Sequence, residues 1–174
     1  EPQNHLTFRN TDYQSQWYSP ALWHKEYVGV NGGNENIRYA ASVSYLQDKG
    51  YVATTGYDVF TMHGNTTFKI TKNLEASTTF DLSRSRRDVP FDDYFTSIGR
   101  GLMMGPTTRN FDTEGNYITG GTNKFQQIAW FYENFFDREA ATTRMTGNFN
   151  LKWNICDGLT ATAQYAIFDN QYRG

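Results

Sequence analysis

The stretch HKEYVGVNGGNENIRYAASVSYLQDKGYV, residues 24–52, decides how the rest of the chain is read. From Ile37 onward the residues alternate. Ile37, Tyr39, Ala41, Val43 and Tyr45 fall on one side, and Arg38, Ala40, Ser42, Ser44 and Leu46 on the other. Side chains change face at every strand residue, so this strand has one apolar face and one mostly polar face. Asn31-Gly32-Gly33-Asn34 supplies residues that tolerate positive φ, as a reversing turn between antiparallel strands requires. The stretch therefore reads as a hairpin, with strands near 25–31 and 36–46. Its apolar face can meet a second sheet, as in a soluble sandwich. It can equally meet lipid, as in an outer-membrane barrel whose polar face lines the lumen. Periodicity alone does not separate the two.

The composition narrows the choice. Apolar residues make up 38% of the 174 positions and aromatic residues 17%, against a usual apolar share of about 45–50%. Few aliphatic side chains and many rings suit a barrel with aromatic girdles, or a carbohydrate-binding sheet, better than an ordinary soluble core. The net charge of −2 gives no electrostatic footprint for nucleic acid. The basic run Arg84 to Arg87 is offset by Asp88, Asp92 and Asp93 and reads as a solvated loop. A single cysteine, Cys156, excludes an internal disulfide framework and a thiolate zinc cluster. No run approaches the ~20 apolar residues of a membrane helix, which leaves β-strands as the only way to cross a bilayer. The abrupt start at Glu1, without initiator Met or signal peptide, gives the impression of a piece of something longer.

Outward from the hairpin, residues 1–23 show no sustained period. Asn10-Thr11-Asp12 can cap a short helical turn that Pro20 would end, which makes this a lead-in segment packed on something else. A third strand near 58–70 sets Phe60, Met62, Gly64, Thr66, Phe68 and Ile70 against Val59, Thr61, His63, Asn65, Thr67 and Lys69. After Thr71-Lys72-Asn73, a fourth sets Leu74, Ala76, Thr78, Phe80 and Leu82 against Glu75, Ser77, Thr79, Asp81 and Ser83. Charges along one face make a costly interior for a dry sandwich. A wet lumen accommodates them.

Alternation lapses from about 84 to 141. That segment holds several glycines, a turn at Asp112-Thr113-Glu114-Gly115-Asn116-Tyr117, and an aromatic cluster inside a possible short helix over 126–136. A connection this long is functional or has structure of its own. Two more strands follow. Thr143, Met145, Gly147, Phe149, Leu151 and Trp153 share an apolar face, and after a turn at 154–158 so do Leu159, Ala161, Ala163, Tyr165 and Ile167. Short and long connections alternate, and the strands are long enough to cross a bilayer at a tilt. The expected fold is all-β: an antiparallel meander of about six long strands forming part of a transmembrane β-barrel, with one long extracellular loop over about 84–141.

These residues resemble the early barrel of SusC/RagA-type TonB-dependent outer-membrane transporters. The resemblance is carried by five stretches in the family's order. They are Asn10-Thr11-Asp12-Tyr13-Gln14; Asn31-Gly32-Gly33-Asn34-Glu35 through Arg38-Tyr39 and Tyr45 to Gly50; Gly64-Asn65 with Phe68-Lys69-Ile70-Thr71; Pro106 with Asp112 to Tyr117; and Arg144-Met145-Thr146-Gly147-Asn148-Phe149 through Gly158-Leu159. Tyr13 stands where the family usually has Trp, and Gly29-Val30-Asn31 where it has Val-Ser-Gly.

The resemblance implies that residues 1–23 follow a plug domain and that 24–174 are part of a barrel of about 22 strands. It further implies import of bulky nutrients, glycans or oligopeptides, across the outer membrane of a Bacteroidota-type bacterium. A SusD-like surface lipoprotein would act as lid, the TonB complex would pull on the plug, and outer-membrane lipid would surround the barrel. Arg38, His63, Lys69, Glu75, Asp81, Arg144 and Lys152 are then candidates to face the plug from the lumen wall, beside the plainer reading of each as a solvated lumen residue. Tyr94, Phe95, Trp130, Phe131 and Tyr132 are loop candidates for stacking on sugars or docking the lipoprotein, beside local loop packing.

Catalysis finds no support. His5, His24 and His63 lack metal-ligand spacing, Asp92-Asp93 are too close in sequence to converge as an acid pair, and the alternation Asp112, Glu114, Asn116 lacks the rest of a calcium loop. No enzyme, metal or cofactor is expected. The alternative from another class is a soluble, secreted β-sandwich that binds carbohydrate through exposed aromatics.

Overall fold

The computed structural model describes residues 12–88, 99, 102, 103, 105, 106, 111, 112, 114–116 and 139–174. The chain divides into two compact units. One comprises residues 22–49, 56–87 and 139–174, and the other residues 1–21, 50–55 and 88–138.

The first unit is a single antiparallel sheet of six strands in meander order, each hydrogen-bonded to its neighbour in sequence. The strands are β1 (Trp23–Gly33), β2 (Ile37–Lys49), β3 (Gly56–Lys69), β4 (Leu74–Asp88), β5 (Glu139–Cys156) and β6 (Leu159–Arg173). The register joins like with like. Ile37 lies opposite Phe68, Tyr39 opposite Thr66, Ala41 opposite Gly64, Val43 opposite Met62 and Tyr45 opposite Phe60. On the other face Arg38 lies opposite Thr67, Ala40 opposite Asn65, Ser42 opposite His63 and Ser44 opposite Thr61. Strands β5 and β6 repeat this, with Phe149 opposite Tyr165, Leu151 opposite Ala163 and Trp153 opposite Ala161.

Short turns fix the register at one end. Asn34 accepts from the backbone N–H groups of Asn36 and Ile37 through Oδ1, both at 2.9 Å, and donates its own N–H to Ile37 O at 2.7 Å. Asp157-Gly158, with Gly158 at φ 84°, forms the two-residue reversal between β5 and β6 that Asp-Gly favours. The turns are also tied to one another: Lys69 N–H donates to Asn36 O at 2.7 Å, and Asn154 N–H to Asn73 O at 2.8 Å.

The strands outrun the alternation that announced them. β4 continues to Asp88 and β5 begins at Glu139, so Arg84 to Arg87 lie in a strand and not in a loop. Arg86 Nε pairs with Glu139 at 3.2 Å across this extension. Where both faces of a hairpin meet water, pairing needs no apolar alternation, and the signal fades while the ladder goes on.

In the second unit, α1 (Tyr13–Trp17) starts at Asp12, whose Oδ1 accepts from Gln14 N at 3.0 Å and Ser15 N at 3.2 Å. It stops at Tyr18, before Pro20, because Tyr18 turns extended and bridges to Val52. Ser19 N–H donates to Tyr51 O and Ala53 N–H to Trp17 O, so the lead-in does pack on another segment, the β2–β3 connection. Tyr13 and Trp17 are buried. The expected helix over 126–136 lies outside the described residues.

Gly33 is the position least open to change. Its φ is 152°, and a Cβ there would stand 2.3 Å from Ile37 O and 2.8 Å from Arg38 Cα, both backbone atoms. Gly33→Ala is expected to cost about 1–3 kcal/mol. Made in the natural protein, it should lower the yield of heat-modifiable, SDS-resistant barrel on gels, whereas Gly64→Ala, with nothing within 4 Å of the added Cβ, should not.

Candidate functional site: the two faces of the sheet

The two faces are buried in the reverse of the soluble order. Tyr39, Val43, Phe60, Met62, Phe68, Phe149 and Trp153 on the apolar face are all exposed, Tyr39 to 47% and Trp153 to 51%. On the polar face Ser42, Ser44, Thr61, His63, Ser77, Thr79, Asp81 and Ser83 are half-buried. Among the described residues only Tyr13, Trp17 and Ala76 are buried hydrophobics, and no second sheet covers the apolar face. A sheet that curls crowds the side chains on its inner side and spreads those on its outer side, so the polar face is the inner one.

The apolar band has sharp limits. On β2 and β3 it runs from Ile37 and Phe68 to Tyr45 and Phe60, then gives way to Gln47 opposite Asp58. On β5 and β6 it runs from Trp153 and Ala161 to Gly147 and Ile167, then reaches Met145 opposite Asp169. The β2 span, residues 37–45, matches the ~9–11 residues with which a tilted strand crosses hydrocarbon. Rings mark the short-turn margin. Tyr39 lies over Gly32, where an added Cβ would meet its hydroxyl at 2.7 Å, and Phe68 and Trp153 stand at the same margin.

The seven lumen candidates are all on strands, but the structure brings only two together. His63 Nδ1 and Asp81 Oδ1 are 2.5 Å apart across β3 and β4, with both side chains about half exposed. Ser42 is the cross-strand partner of His63, which puts Ser42, His63 and Asp81 in one row. Among the described residues no hydrogen bond joins Ser42 to His63. A Ser44–Thr61 hydroxyl contact at 2.6 Å is the next tie along the same face. Arg38 lines a polar hollow of about 530 Å3 with Asn65 and Thr67. Arg144 lies opposite Asn170 and Lys152 opposite Thr162, while Lys69 ends β3 and Glu75 begins β4. No three His, Cys, Asp or Glu side chains among the described residues could hold a metal ion.

The loop candidates Tyr94, Phe95, Trp130, Phe131 and Tyr132 lie outside the described residues. Of the loop turn, Asp112 is described. Its carboxylate accepts from Glu114 N and Asn116 N, both at 2.8 Å, and from Asn116 Nδ2 at 3.1 Å. The Asn116 side-chain hydrogen bond, followed by the backbone ones, holds the Asp112 carboxyl below the usual carboxylate range. Phe168 and Tyr172 sit on the inner face, exposed to 66% and 72%. Tyr172 lies past the point where the sequence was read as strand.

The chain aligns with the TonB-dependent receptor SusC of Bacteroides thetaiotaomicron at 29% identity over 134 residues, covering 71% of the chain and 13% of that protein. It aligns with a TonB-dependent receptor of Formosa agariphila at 24% identity over 116 residues, covering 67% of the chain and 11% of that protein. The chain is similar to TonB-dependent receptors of the SusC/RagA type. The fold agrees. Superposed on the RagAB peptide transporter, 93% of this SusC/RagA-like chain covers 19% of that one, with a TM-score of 0.73 at 17% identity. On the RagAB peptide importer in its "open-open" state the TM-score is 0.74 at 17% identity, covering 97% and 20%. The chain thus spans about an eighth of the length of the curated relatives it matches. No family profile matches it.

The Asp112 turn gives a pH test with a defined sign. A carboxyl held below its ordinary value of 3.8 stabilises the turn above that value and loses the effect as pH falls through its own lower one. Hydrogen exchange at Glu114 and Asn116, corrected for its intrinsic pH dependence, should accelerate only in that acid window. Asp112→Ala, which removes the acceptor, should make it fast throughout.

Proposed function

We propose that this chain forms barrel wall of a TonB-dependent outer-membrane transporter that imports bulky nutrients, glycans or oligopeptides, in a Bacteroidota-type bacterium. The observation that carries the reading is the exposed apolar face, limited to the span of a bilayer and backed by a half-buried polar face. Lipid solvates the first, and water or a polar plug the second. The receptor names of the sequence relatives, and the peptide-transporter name of the structural neighbour, supply the activity.

Within this reading residues 1–23 follow a plug domain and 24–174 belong to the barrel. The polar hollow at Arg38 offers a cation to a plug carboxylate or carbonyl. His63, Glu75, Asp81, Arg144 and Lys152 present further donors and acceptors along the lumen, while Lys69, the last residue of β3, stands at the strand end and is not one of them. The long connection, with Tyr94, Phe95, Trp130, Phe131 and Tyr132, provides rings for substrate or for a SusD-like lipoprotein. Force would come from the TonB complex acting on the plug. The relatives are receptors and transporters by name, and no enzyme activity is proposed.

Adjacent residues on opposite faces test the orientation. Val43→Arg places a cation in the middle of the apolar band and is expected to destabilise the barrel by about 2–4 kcal/mol, against about 1 kcal/mol or less for Ser42→Arg on the inner face. The readout is SDS-resistant barrel recovered from outer membranes. Equal losses, or a larger loss for Ser42→Arg, would remove lipid from the apolar face and the transporter reading with it.

A further inference from the structure

On the outer face, at the end of the sheet with the short turns, lies a groove of about 820 Å3. Ile37, Phe68 and Ala76 give it an apolar floor. Ile37 and Phe68 are cross-strand partners and form the last row of the apolar band, so the groove is continuous with the lipid-facing surface. Ala76 is 7% exposed. Its single methyl, where neighbouring positions carry larger side chains, leaves the depth.

The rim is charged. Glu35, Lys69 and Lys72 line it, and none of the three has an ion-pair partner among the described residues. Each sits on hydrogen-bonded backbone. Glu35 lies in the turn closed by Asn34, Lys69 donates its N–H to Asn36 O at 2.7 Å, and Lys72 lies in the turn where Ile70 N–H and Thr71 N–H reach Leu74 O at 2.8 and 3.2 Å. Two cations and one anion are therefore held around an apolar trough at the margin of the hydrocarbon band.

We propose that the groove binds one phospholipid with a zwitterionic, primary-amine headgroup, phosphatidylethanolamine in its simplest form. The assignment rests on the barrel reading above. The acyl chains lie on Ile37, Phe68 and Ala76, Lys69 and Lys72 contact the phosphate, and Glu35 contacts the ammonium. Each neighbouring ligand chemistry leaves something unmet. A headgroup that is anionic only has no partner for Glu35, and a soluble anion leaves the apolar floor wet.

The test is native mass spectrometry of the natural protein in mild detergent, with added phosphatidylethanolamine or phosphatidylglycerol. The unsubstituted protein should retain phosphatidylethanolamine preferentially. Lys69→Ala with Lys72→Ala should lower that retention about tenfold, the scale of losing a charge-assisted hydrogen bond. Glu35→Gln should bring the two lipids to parity. Equal retention by the double variant overturns the site, as does displacement of the lipid by inorganic phosphate, which marks a plain anion site. If the protein stays folded in detergent and only the lipid results fail, the groove assignment alone falls. If it is soluble and monodisperse without detergent, the barrel reading falls first.

Discussion

A backbone N–H or C=O facing hydrocarbon has no solvent to bond with, so every strand that meets lipid must pair with a neighbour along its whole crossing. The rest of this sheet depends on that requirement. Because side chains alternate with a period of two, a slip of one residue would carry Ser42, His63 and Asp81 outward and Val43 and Met62 inward. Register therefore has to be fixed locally, and it is fixed at the turns. Gly33 admits the approach of Ile37 O, Asn34 replaces missing backbone partners with its side chain, and Asp157-Gly158 reverses the chain in two residues. The links from Lys69 to Asn36 and from Asn154 to Asn73 then lock one hairpin to the next.

Once register is set, the two faces obey opposite rules. The outer one has only to be apolar across the band, and Val, Met, Phe, Leu and small residues serve there equally. The inner one carries polar atoms, and two pairs of them meet across strands, Ser44 with Thr61 and His63 with Asp81. Such half-exposed contacts contribute little each, of order 1 kcal/mol or less. Their effect is to pair part of the polar surface of the inner face across strands.

The sequence showed the fold well because alternation and turn chemistry agree at the same positions. Ile37 to Tyr45 and Phe60 to Phe68 were legible as faces, and their pairing follows from the Gly-Gly-Asn turn between β1 and β2 and the modest connection after β2. What could not be read was whatever lacks alternation. The extension Arg84 to Asp88 looks like a charged loop because both its faces meet water, yet it is strand, paired to β5 through Arg86 and Glu139. The site was less legible still. His63 and Asp81 both fall on the polar face of the alternation, but only the pairing of β3 with β4 makes them partners. The groove at Ala76 depends on three segments meeting at the margin, which no single stretch records.

The two ends of the strands also follow from different physics. At one end the connections are two to four residues long, rigid, and close to the band, so their charges are placed as firmly as the strands themselves. Outside the sheet, the described residues are ordered by the Tyr18–Val52 bridge, the Asp12 cap and the Asp112 turn. The Asp12 cap and the Asp112 turn each close over a few residues, and the Tyr18–Val52 bridge ties the lead-in to the β2–β3 connection. Sequence can therefore change between them without disturbing the register of the strands, which the short turns hold.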